Sequence, residues 1–151
     1  MNWMRCLIIG ISILTGVFAI SCDKGEVDYV VNLDYYYINN STASIEIKTF
    51  EIDQNGFNLL KNYKINSNDT LYINVNTEGP RNLEVTEIKQ PALFSDSTVV
   101  IYDELKCNKF VLADMGVNNI TNYKSTEIKN NYFELEYEFT NEQFTDAEDC
   151  N

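Results

Sequence analysis

Tyr132-Phe133-Glu134-Leu135-Glu136-Tyr137-Glu138-Phe139 decides the fold class. Apolar or aromatic residues alternate strictly with acids after Tyr132. In an extended strand Phe133, Leu135, Tyr137 and Phe139 therefore share one face, and the three glutamates share the other. A strand with one dry side and one wet side belongs to a sheet that packs on a core through a single face.

The same period of two recurs on either side of this stretch. Residues 70–76 alternate cleanly and stop at Glu78-Gly79-Pro80, and 97–102 form a β-branched run closed by Asp103-Glu104. Residues 29–38 supply another strand. Tyr35-Tyr36-Tyr37 lies in mid-run there, so two of these tyrosines face one side and one faces the other. In 44–52, Ile45 and Ile47 keep one parity while Phe50 and Ile52 take the opposite one, which predicts a bulge or a two-sided position near the strand end. Asp53-Gln54-Asn55-Gly56 then reads as a turn. Helix signals are sparse. Thr140-Asn141-Glu142-Gln143 has capping-box spacing and predicts a helix from Asn141 to about Asp149. Phe144 and Ala147 would pack that helix on the sheet and bring Cys150 back towards Cys107. The expectation is an all-β fold: an antiparallel, immunoglobulin-like β-sandwich of six to eight strands with a short C-terminal helix, spanning 29–151. The Cys…Trp…Cys core of true immunoglobulin domains is absent.

Ahead of this domain the chain has a different character. Met1-Asn2-Trp3-Met4-Arg5 carries one positive charge, and residues 7–20 are apolar apart from Gly10, Ser12, Thr15 and Gly16. The run is shorter than the roughly 20 residues a bilayer-spanning helix needs. It has the anatomy of a secretory signal helix over 1–21, with 22–28 as a polar tether.

The composition removes whole classes of function. The 151 residues hold 11 Lys+Arg against 23 Asp+Glu, a formal net charge of −12, and no histidine. A surface of that sign repels nucleic-acid phosphates. Without His there is no Ser-His-Asp triad, no Cys-His pair and no His-ligated zinc. Arg5 is the sole charged residue of 1–21, so the remainder carries 10 bases and 23 acids, a net of −13, and no tryptophan. With 44% hydrophobic residues the whole chain still affords a packed core.

Chemical motifs are scarce. No phosphate loop or dinucleotide glycine pattern occurs, and no cofactor is expected. Glu134, Glu136 and Glu138 read as a solvated strand face before they read as a glycosidase acid pair. Glu51-x-Asp53-x-Asn55-Gly56 imitates the start of an EF-hand, but its twelfth position is Asn62, so no metal site is expected there. In an exported chain Cys107 and Cys150 form one disulfide or stay as two free thiols. A bridge would close a 44-residue loop, worth roughly 4 kcal/mol. Tyr35, Tyr36, Tyr37, Tyr72 and Tyr102 are the aromatics available to contact a sugar or a protein. The lack of tryptophan weakens the sugar reading.

Several segments together resemble the small lipoproteins of Bacteroides-type bacteria that carry a single immunoglobulin-like sandwich. Ala19-Ile20-Ser21-Cys22 is similar to a bacterial lipobox. Tyr37-Ile38-Asn39-Asn40-Ser41, the stretch from Ser95 to Asp103 and the closing stretch from Tyr137 to Ala147 complete the likeness, which covers about a third of the chain. The resemblance implies lipidation of Cys22, which becomes the first residue after cleavage, and anchoring at the cell envelope, in the outer membrane. It implies that Cys22-Asp23-Lys24-Gly25-Glu26 bears on display at the outer surface. It also implies O-glycosylation at Thr70 or Ser97, in Asp69-Thr70-Leu71 and Asp96-Ser97-Thr98. The expected function is that of a non-enzymatic, lipid-anchored envelope module that binds an unidentified envelope protein or glycan. A calcium-stabilised or glycan-binding adhesion module is the alternative. A carboxylate-pair glycan hydrolase stands behind both.

Overall fold

The computed structural model describes residues 29–111 and 115–150. The signal segment and the tether, with Cys22, lie outside the described residues. Nine strands are present among those described: β1 (Tyr29–Asn39), β2 (Ile45–Asp53), β3 (Gly56–Ile65), β4 (Thr70–Gly79), β5 (Ser97–Tyr102), β6 (Lys106–Val111), β7 (Lys124–Lys129), β8 (Tyr132–Phe139) and β9 (Glu148–Asp149). One short helix, α1 (Asn141–Asp146), precedes β9.

The strands form two sheets, ordered β4-β1-β8-β7 and β3-β2-β5-β6-β9. They pack as a sandwich, as the alternation predicts. Val31, Leu33, Phe133, Leu135 and Phe139 from one sheet meet Ile45, Ile47, Ile65, Val100 and Tyr102 from the other in a continuous core. Each fully buried aliphatic or phenylalanine side chain contributes about 1.5–3 kcal/mol. The sheets are antiparallel except for one pair. β8 inserts between β7 and β1 and runs parallel to β1, with Leu33 opposite Phe133 and Tyr37 opposite Tyr137.

Near Phe50 β2 itself keeps its alternation, and the bulge lies in the partner strand β3. β2 runs unbroken against β5, but Thr49 faces Lys61 and Phe50 faces Leu59, which leaves Leu60 unpaired in β3. The capping box forms: Thr140 Oγ1 accepts the Gln143 N–H at 3.4 Å and Gln143 Oε1 accepts the Thr140 N–H at 3.2 Å. The helix is shorter than expected. Ala147 is extended (φ −66°, ψ 146°), and the chain leaves α1 to add β9 to the edge of β6.

The two ends of the sandwich differ. At the distal end the fully buried Asn39 amide donates to the carbonyls of Ala43, Ile65 and Asn66. Its Oδ1 accepts from the backbone N–H and the hydroxyl of Ser41. One side chain thereby fixes the crossing from β1 to β2 and the end of β3. β2 starts at this end, so its turn into β3 lies at the other. That proximal end is where Tyr29 enters opposite Gly79, with Arg81 5.9 Å from the Tyr29 ring centre.

Candidate binding face

Sheet parity decides which tyrosines reach solvent. Tyr35 and Tyr37 point into the core, as does Tyr102, which sits opposite Ile45; each is at most 1% exposed. The expectation that these three contact a ligand is therefore corrected: an inward parity on a two-sheet fold places them under the opposite sheet. The Tyr35 and Tyr37 hydroxyls hold loops. The Tyr35 hydroxyl donates to the Gln90 carbonyl at 3.0 Å, and that of Tyr37 accepts the Leu93 N–H at 3.2 Å. The Tyr123 hydroxyl donates to the Val117 carbonyl at 2.7 Å. Burial pushes the Tyr35 and Tyr102 phenols up to about 12, so they stay neutral donors and acceptors.

Tyr36 and Tyr72 face the other way. They are register partners on β1 and β4, their ring centres are 5.4 Å apart at 40°, and Tyr72 is 51% exposed. Together they form the aromatic part of the solvent face of the four-stranded sheet.

Asp34 lies beside them, with the same parity as Tyr36 and only 5% exposed. Its Oδ1 accepts from the Tyr72 hydroxyl and from the Asn74 amide, each at 2.7 Å. Its Oδ2 accepts from the Tyr132 hydroxyl, also at 2.7 Å. The register explains the convergence. Asn74 and Glu134 are directly opposite Asp34 on its two neighbouring strands, and Tyr72 and Tyr132 lie diagonally. Burial works to raise the Asp34 carboxyl, but the three donors outweigh it and hold the group below its ordinary range. The same bond pushes the Tyr132 phenol up to about 12. Each tyrosine hydroxyl, having donated its proton, keeps lone pairs to accept from a ligand. Asn76 extends the face along β4. Glu136 extends it along β8 and pairs with Lys124 at 2.8 Å. Sequence reading missed Asp34, Asn74 and Tyr132. The one signal for Asp34 was an acid two residues before Tyr36, on its side of the strand.

The other expected sites separate. Thr70 is exposed at the start of β4. Ser97 is corrected as a glycosylation site: it is 4% exposed, flanked by its register partners Phe50 on β2 and Val111 on β6. Cys107, buried, and Cys150, exposed, are free thiols brought near each other by the pairing of β9 with β6. Desolvation, followed by the influence of the neighbouring Cys107 thiol, pushes the Cys150 thiol up to about 11, the reverse of what a nucleophilic cysteine needs. The expected turn forms at Asp53–Gly56, where Asp53 Oδ1 accepts the Asn55 N–H and Gly56 takes φ +119°. Among the described residues no three Asp, Glu or Cys side chains converge as metal ligands. Glu136 and Glu138 border an open recess beside Lys124 and Gln143.

Neither a protein family, a curated protein nor a solved structure matches the chain.

Proposed function

We propose that the protein is a non-enzymatic, lipid-anchored cell-envelope module that binds its partner through the Tyr36–Tyr72–Asp34 face. The carrying observation is the Asp34 carboxylate, fixed by two tyrosine hydroxyls and an amide on the solvent side of a sheet. This set is prearranged, so binding does not have to order it. Export and anchoring rest on the signal-like segment and on Cys22.

A glycan is the ligand class these groups favour. A half-exposed ring can stack on a sugar face, while hydroxyl lone pairs, amides and carboxylates meet its hydroxyls. Hydrolysis is the weaker reading. It needs one carboxyl kept protonated near neutrality, and Asp34 is shifted the opposite way, on an open face.

The test is an NMR titration with a panel of bacterial envelope oligosaccharides. Shifts should centre on the amides of Asp34, Tyr36, Tyr72, Asn74 and Tyr132. Tyr72→Ala should weaken binding about fivefold to tenfold, the loss of one aromatic contact of about 1 kcal/mol. Shifts confined to the opposite sheet would refute the assignment.

A further inference from the structure

The exposed apolar side chains are unevenly distributed. Apart from Tyr72 and Leu105, those that stand out among the described residues lie in the proximal half of the sandwich. Their centre is the outer flank of the β2–β3 hairpin. Ile52 sits opposite Phe57, and Phe50 sits opposite Leu59. The Phe50 and Phe57 rings meet edge-on at 6.3 Å, and Phe57 is 66% exposed. Through Ser97 the row continues to the exposed Val111 on β6. A row this apolar on the wet side of a sheet is a contact surface.

Its position indicates the occupant. The chain enters the sandwich at this same end, and Cys22, the proposed lipid attachment point, lies upstream of Tyr29. Tyr29 is seven residues beyond Cys22, a reach of at most about 25 Å even when fully extended. We propose that the proximal end of the sandwich seats on a neutral phospholipid surface, with Ile52, Phe57 and Leu59 entering the headgroup boundary. This rests on the reading of the protein as membrane-anchored and adds an orientation to it. Interfacial amphipathic helices bury their apolar faces roughly 5–10 Å into the headgroup region, which sets the scale for a shallow seating. Glu51, Asp53 and Asp96 frame the turn, so anionic lipid is disfavoured. A second copy fits less well, because the β3 edge carries the Leu60 bulge together with Lys61 and Lys64, features that block edge-to-edge pairing. In this pose the Asp34 face rises from the membrane along the side of the sandwich.

The experiment uses the lipidated protein that begins at Cys22, which has no tryptophan of its own, with one introduced indole, Phe57→Trp at the proximal end or Leu105→Trp at the distal end. Both positions are exposed, so either indole is accommodated. Each protein is reconstituted in phosphatidylcholine vesicles with brominated acyl chains, and flotation and indole quenching are read together. Flotation with several-fold stronger quenching at 57 than at 105 supports the seating. Flotation with equal quenching overturns the seating and leaves the anchor standing. Absence of flotation overturns both. A blue-shifted, unquenched indole at 57 assigns the face to a second copy and overturns the lipid assignment.

Discussion

Asp34 shows how much one residue on a sheet can depend on distant chain. Its donors come from β4 and from β8, 38 to 98 residues away. Asp34→Asn keeps the shape but sets an amide donor against other donors. It should cost about 2 kcal/mol at neutral pH. The sign with pH follows from the depressed carboxyl. Its contribution is present above the ordinary value of 3.8 and is lost as pH falls through the lower folded value. Denaturant melts should therefore show a gap between wild type and Asp34→Asn at pH 7 that closes on acidification. A gap unchanged by pH would show that the carboxylate's charge is not what the donors stabilise. The sequence could not reveal this site, because an acid within a strand has no meaning until its neighbours are known. The tyrosines were legible as alternating, and Tyr36 separates from Tyr35 and Tyr37 as parity requires. Which parity faces the core was not.

Among the elements, legibility follows burial on one face. β8, β4 and β5 have clear strand patterns, and the capping box marked α1. β3 and β7 are edge strands, exposed along almost their whole lengths, so neither carries a periodic signal. Pairing alone defines them. β9 is two residues held to β6, and the backbone N–H of Cys150 donates to the Leu105 carbonyl at 3.0 Å. With oxidised glutathione as electron acceptor, the Cys107 and Cys150 thiols should lose two protons and two electrons to one sulfur–sulfur bond, releasing two reduced glutathiones. The raised Cys150 thiol makes this slow at neutral pH and faster under alkaline conditions. A non-reducing peptide map should show the linked pair, with stability higher by about 4 kcal/mol than in Cys150→Ser. Two unreacted thiols after prolonged incubation at raised pH would show that β9 does not hold them in bonding geometry.

At the scale of the whole molecule, the acidity is a property of the domain and the apolar run a property of what precedes it. The described sandwich has a tyrosine–carboxylate face on one side and an apolar fringe at the end where the chain enters. It contains no helix long and apolar enough to cross a membrane. The attachment we propose is through Cys22, and the orientation of the proposed binding face depends on it. Metabolic labelling with a palmitate analogue, read with fractionation of wild type and Cys22→Ala, tests this most directly. Wild type should be labelled and in the membrane fraction, and Cys22→Ala should be unlabelled and soluble. A variant that keeps its label, or stays with the membranes, would contradict it.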